Sequence, residues 1–215
     1  DVLIVAGCGI HNAGQEQSQH DGIHTFYLSP NAKVRYVEKH IGSGNGGEKV
    51  LNPVTNIIME SGSEMVMETI QLGGVSASVR DTKVTLYDDT KLVIKEKILT
   101  SENQTADTNF NVVLKGENSS VDVISRSVAK DTSAQTFYST VVGENKCFGH
   151  VECDAILMDR ANIIATPEIM AKCVDANLVH EAAIGKIAGE QLIKLKTLGL
   201  SDKEAEDMII KGFLS

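Results

Sequence analysis

Thr82-Lys83-Val84-Thr85-Leu86-Tyr87, then Asp88-Asp89-Thr90, then Lys91 through Ile98, is the stretch that decides the fold. Two runs of alternating apolar and polar residues flank a three-residue polar turn. Period-two alternation puts one face of each run in a core and the other in water, which is the signature of a β-strand. The same texture extends in both directions: Lys33 to Lys39 and Glu64 to Ile70 upstream, and Asn109 to Leu114, Ser120 to Val128 and Gln135 to Val142 downstream. Ser61-Gly62-Ser63, Gly116-Glu117-Asn118 and Gly143-Glu144-Asn145 supply the intervening turns.

The turns recur with a period. Gly62, Asp89, Asn118 and Asn145 lie about 27 to 29 residues apart, with a further strand roughly midway between each pair. Regular spacing with weak sequence identity points to stacked coils that bury their core against one another. A β-sandwich with regular turns satisfies the same spacing. Only three prolines interrupt the chain, which suits long hydrogen-bonded ladders in either case.

The chain carries 29 carboxylates against 20 Lys and Arg, a balance that disfavours nucleic acid and anionic membrane surfaces as partners. No apolar run approaches the length of a membrane span and no secretory leader is visible, so a cytoplasmic setting with free thiols is expected. Asp1 leads straight into Val2-Leu3-Ile4-Val5, a strand already under way, and the natural protein is expected to start further upstream.

After about Asp175 the pattern changes. Ile184, Ile187, Ala188, Leu192 and Leu195 form an apolar stripe at helical spacing, so a helix is expected over Leu178 to Leu198, with Gly185 and Gly189 four apart on it and Gly199 as its stop. Ser201 and Glu204 form a capping-box pair, and Ala205, Met208, Ile209 and Phe213 stripe a second short helix. The expected division is a strand-built core over residues 1–174 and a helical domain over 175–215.

Three stretches concentrate reactive side chains. The first, Cys8 to His24, gathers a thiol and the imidazoles of His11, His20 and His24 among amides and carboxylates; it reads as a polar loop between coils or as a zinc site of no standard spacing. The second, Gly149 to Met158, read as a strand, places Val151, Cys153 and Ala155 on one face and His150, Glu152 and Asp154 on the other. Carboxylates flanking Cys153 disfavour its thiolate unless a cation offsets them, which suits a metal ligand better than a nucleophile. The third, Val179-His180-Glu181, sits where strands give way to the expected helix, where Glu181 also complements a helix N-terminus. Taken singly, Cys8, Cys147, Cys153 and Cys173 also read as small buried hydrophobes. The glycine-rich run Gly42 to Lys49 lacks the Lys-Ser/Thr of a phosphate cradle and reads as a flexible loop. No nucleophile elbow or dinucleotide fingerprint is present.

Together, Val179-His180-Glu181-Ala182-Ala183-Ile184-Gly185-Lys186, Gly189-Glu190-Gln191-Leu192, Glu152-Cys153-Asp154-Ala155 and His11-Asn12-Ala13-Gly14-Gln15-Glu16 resemble the SufB/SufD-type scaffold family of the SUF iron–sulfur assembly system, in its short SufB-like form, over essentially the whole chain. The resemblance implies a right-handed parallel β-helix followed by a C-terminal helical hairpin. It implies a non-enzymatic scaffold that holds a labile iron–sulfur cluster, receives sulfur from a donor and passes cluster to apo-protein recipients. Cys153 ranks first as a cluster or sulfur ligand, then Glu181 and His180, then Cys8, with Cys147 and Cys173 structural. Longer SufB proteins carry an extra Glu before the His, and Val179 stands there in this chain. The hairpin is implied to dock a SufC-like ABC-type ATPase, with Gly185, Lys186, Gly189, Glu190, Gln191, Leu195, Met208 and Phe213 as candidate contacts. Core subunits of the family pair as homodimers or SufB/SufD heterodimers. The alternative within the family is a SufD-like structural partner that holds no cluster. A β-helix polysaccharide enzyme is disfavoured, because the chain has no Trp, five Phe and four Tyr for sugar stacking.

Overall fold

The structure, a computed structural model, describes residues 1–215. Its strands follow one another as coils. The first coil holds β1 (Val2–His11), β2 (Ser18–His20) and β3 (Ile23–Leu28); the second holds β4 (Lys33–Ser43), β5 (Lys49–Leu51) and β6 (Val54–Met59). Four further coils each hold two strands: β7 (Glu64–Leu72) and β8 (Ala77–Leu86), β9 (Lys91–Thr100) and β10 (Thr105–Leu114), β11 (Ser120–Ala129) and β12 (Ala134–Gly143), β13 (Phe148–Leu157) and β14 (Asn162–Ala171). A last strand, β15 (Asn177–Gly185), precedes α1 (Gly189–Thr197) and α2 (Asp202–Phe213).

Each strand pairs in parallel with its counterpart one coil away. One sheet runs β1-β4-β7-β9-β11-β13-β15 and the other β14-β12-β10-β8-β5-β2, with β6 pairing both β3 and β8. This is a parallel β-solenoid of about six coils, and of the two architectures compatible with the turn spacing it is the stacked one. A sandwich would require antiparallel neighbours.

The turns explain the period. Asn31, Gly62, Asp89 and Asn118 all adopt positive φ at one corner, and Glu102, Asp131 and Asp159 do so at another. Asn and Asp tolerate this left-handed conformation better than other side chains. The corners also bond to one another, as where Asn118 Nδ2 donates to Asp89 Oδ1 at 3.1 Å. Stacking requires equivalent corners, so turn residues recur once per coil.

Two expectations are corrected. The residues from Leu178 to Gly185 are not the start of a helix; they are β15, and the helix begins at Gly189. Leu178, His180, Ala182 and Ile184 fit a period of two as well as a helical stripe. The open hydrogen-bonding edge of β13, paired with β15 from Phe148 to Ile156, selects the strand. Gly185 and Gly189 therefore do not share a helix, and Glu181 does not sit at a helix N-terminus. The Gly42–Lys49 run is not a loose loop either. Gly46 lies so close to the first coil that a Cβ there would come within 2.3 Å of the Gly14 carbonyl oxygen. Here glycine is needed for close approach of two backbones.

The tail otherwise follows its sequence. Gly199 takes φ +94° after α1, and the Ser201–Glu204 capping box opens α2, with Ser201 N–H donating to Glu204 Oε2 at 2.9 Å. The two helices contact each other across the Leu198–Leu200 turn.

Candidate functional site

Parallel register turns the solenoid interior into columns. In the first sheet, Val34, Met65, Leu92 and Val121 form one, and Tyr36, Met67, Ile94, Val123 and Val151 form the next; all are apolar and inward. The third column is different. Ala6, Glu38, Thr69, Glu96, Ser125, Cys153 and Ala182 are successive partners along the sheet. The fourth runs Cys8, His40, Gln71, Ile98, Ser127, Ala155 and Ile184. The solenoid thus has an apolar half and a polar half inside one wall.

Cys153 lies near the C-terminal end of the polar half. It is 1% exposed, as the strand reading of Gly149–Met158 expected, with His150, Glu152 and Asp154 on the outer face. Burial first, then the charges of Glu96 and Asp154, push its thiol pKa up to about 12. Cys153 is therefore a covered, protonated thiol at neutral pH.

β15 covers it. Ala182 is the register partner of Cys153, with His180 two residues before, opposite Val151. His180 continues the apolar column of Tyr36 and Ile94. Its Nε2 has no hydrogen-bond partner, and burial holds its pKa below the usual histidine value. Glu181 points the other way. It pairs in register with Glu152 and accepts a hydrogen bond from His150 Nε2 at 2.9 Å, while His150 Nδ1 bonds Asp122 at 2.7 Å. The hydrogen bond to Asp122 and then that to Glu181 raise the His150 pKa against an opposing desolvation. On the same surface Glu152 has a raised pKa, through burial and then its hydrogen bond with Asp154.

The structure brings Cys153, His180 and Glu181 onto adjacent strands but does not aim them at one point, since His180 faces in and Glu181 out. Cys8 is not with them. It stands at the level of the first coil, and Glu38, its hydrogen-bond acceptor at 3.7 Å, is four strands from Cys153 in the same column, about 19 Å at the usual strand spacing. One cluster cannot touch both. Cys147 is buried and Cys173 half-buried in neighbouring corners.

Sequence reading missed Glu38, His40, Arg80 and Glu96. Arg80 Nη1 donates to Glu96 Oε1 at 2.6 Å and its Nη2 to His40 Nδ1 at 2.8 Å, with His40 Nε2 3.2 Å from Glu38 Oε1. Ser125 and Thr108 also donate to Glu96. The signal was the coil period itself: Glu38, Thr69, Glu96, Ser125 and Cys153 follow at 31, 27, 29 and 28 residues. Applied to the turns alone, it did not reveal which in-strand residues meet.

Comparison with known proteins bears on this geometry. The family model for the SUF system FeS cluster assembly SufBD core domain matches residues 4–213. An iron–sulfur cluster assembly SufBD family protein of Methanothermobacter thermautotrophicus (strain Winter) is 31% identical over 100% of this chain and 52% of its own length. The corresponding protein of Archaeoglobus fulgidus is 31% identical over 100% of this chain and 57% of its own length. That of Pyrococcus horikoshii is 32% identical over 100% and 48%. The chain spans about half the length of the curated relatives it matches.

Proposed function

The chain belongs to the SufBD family of the SUF iron–sulfur cluster assembly system, and we propose that it acts there as a scaffold on which nascent cluster or sulfur is held by Cys153. The observation that carries this reading is the position of Cys153. It is the one thiol of the Glu38–Thr69–Glu96–Ser125–Cys153 column and lies directly beneath the strand that bears His180 and Glu181. A thiolate joined by imidazole or carboxylate suits a labile cluster better than four thiolates would. Iron and sulfide are the cargo here, and the chain supplies ligands and shelter rather than an enzymatic step.

In this reading β15 must move for the site to form, because it covers Cys153 and splits His180 from Glu181. The helical pair that follows β15 is placed to transmit such motion. Docking of a SufC-like ATPase on α1 and α2, through Glu190, Gln191, Leu195, Met208 and Phe213 and the Gly185–Gly189 linker with Lys186, would pull on that strand directly. Pairing with a second core subunit, as a homodimer or a SufB/SufD-type heterodimer, would supply further ligands. A cytoplasmic setting, a sulfur donor and apo-protein recipients complete the proposal.

The high pKa and burial of Cys153 favour a second reading, a SufD-like partner that stabilises the complex and holds no cluster. Anaerobic reconstitution with iron and sulfide separates the two, read by visible absorption and paramagnetic resonance on the native chain and Cys153→Ser. The scaffold reading expects a cluster that the substitution removes or alters. No cluster in either protein supports the structural partner, and an unchanged cluster in the variant overturns the assignment of Cys153.

A further inference from the structure

The N-terminal end of the polar half gathers a second set of donors. Cys8 Sγ, a Glu38 carboxylate oxygen and a ring nitrogen of His40 lie within 4.8 Å of one another. Their distances to Glu38 Oε1 are 3.7 Å from Cys8 Sγ, 3.2 Å from His40 Nε2 and 3.4 Å from His24 Nδ1. Metal bonds of about 2.0 Å to nitrogen or oxygen and about 2.3 Å to sulfur give a tetrahedron with N–O edges of about 3.3 Å and an S–O edge of about 3.5 Å. The observed separations lie within a few tenths of an ångström of those edges.

Two independent observations point to a cation. His40 has a fully buried side chain, and its Nε2, aimed at Glu38, has no hydrogen-bond partner. Locally, Glu38 is buried, and the Arg80 guanidinium near it is bonded to Glu96 at 2.6 Å rather than to Glu38, while the other buried cation, Lys49, donates to the Gly44 carbonyl at 3.2 Å. Buried charges are costly unless paired or bound to metal.

We propose that Cys8, Glu38 and His40 form a mononuclear site for a divalent first-row transition ion, zinc or ferrous iron, with water in the fourth position. One thiolate, one carboxylate and one imidazole suit these borderline ions and not magnesium or calcium. Loading takes the proton from the Cys8 thiol. At His40, Arg80 donates to Nδ1, so the ring hydrogen sits on Nε2. On loading it moves to Nδ1, and Arg80 Nη2 turns to Gln71 Oε1, 3.4 Å away. The site does not rest on the scaffold reading, since it lies four strands from Cys153 and needs no sulfide.

The test is anaerobic titration of the whole chain with cobalt(II), without sulfide, followed by competition with zinc and with ferrous iron. The expected result is one equivalent bound, with a thiolate-to-cobalt charge-transfer band and strong visible ligand-field bands of four-coordination. Cys8→Ser loses the charge-transfer band, while Cys153→Ser keeps it. Thermal melts of the metal-free variants check folding. Should Cys8→Ser fail to fold, X-ray absorption of the zinc-loaded native chain decides, and one sulfur with three lighter ligands is the expected shell. No saturable binding, a band that survives Cys8→Ser or vanishes with Cys153→Ser, or a shell without sulfur overturns the site.

Discussion

The apolar and polar halves of the solenoid interior share the same wall, the same parallel ladder and the same coil period, yet they are held together differently. In the Tyr36–Met67–Ile94–Val123–Val151 column each side chain gains by leaving water, and neighbours need only fit. In the Glu38–Thr69–Glu96–Ser125–Cys153 column the polar side chains lose hydration, which Glu96 recovers from Arg80, Thr108 and Ser125, whereas the Thr69 hydroxyl does not recover it. The apolar half is tolerant, and the charged part of the polar half depends on particular partners. At its two ends the polar half carries a thiol–carboxylate–imidazole set and Cys153.

The sharpest way to break the comparison is to strand a charge. Arg80 and Glu96 are buried and bonded at 2.6 Å. Arg80→Met leaves Glu96 without a cation and is expected to cost about 3–5 kcal/mol in chemical denaturation. Adding Glu96→Leu should return much of that loss, because the desolvated charge goes with it. A double variant as unstable as the single one would mean that the polar half is needed for the fold itself.

A smaller effect of opposite sign is expected at Thr69, whose hydroxyl is buried without a partner. Thr69→Val removes an unsatisfied group at nearly constant volume and is expected to stabilise by on the order of 1 kcal/mol in the same assay. A loss of stability would show that the hydroxyl is hydrated inside the solenoid.

The smallest effect concerns the outer face. The raised pKa of His150 comes from Asp122 and then Glu181. A group whose pKa is raised on folding contributes stability that is full below its unfolded value, near 6.5, and lost as pH rises through the folded value. The Asp122–His150–Glu181 bridge should therefore hold at acid pH and weaken as pH rises through the raised His150 value. A proton NMR titration of the His150 ring checks this, and Glu181→Gln should lower the midpoint.

The contrast between the halves also explains what sequence could tell. Strands from Lys33 to Val142 were legible because apolar residues alternate with exposed polar ones. The coil period was legible because left-handed corners favour Gly, Asn or Asp, as at Gly62, Asp89 and Asn118. The Ser201–Glu204 cap was legible because both partners lie within one turn. β15 was not, since Leu178–Gly185 fits both periods and only the free edge of β13 decides between them. The Cys8–Glu38–His40 set was not, because its members come from different coils and coil lengths vary enough to hide the register. Cys153, His180 and Glu181 were found as a set through family resemblance, but that His180 faces the interior and Glu181 the solvent required knowing that they sit on a strand.

The account stands on Cys153 being covered by β15 at rest and uncovered in use. Anaerobic alkylation of the four thiols, resolved by peptide mass spectrometry, measures this directly, on the chain alone and with an ABC-type ATPase subunit and ATP. Cys153 should be the slowest thiol to react in the chain alone and should react faster once ATPase and ATP are present, with Cys147 and Cys173 unchanged. Rapid labelling of Cys153 at rest, or a rate that ATPase and ATP leave unaltered, would contradict it.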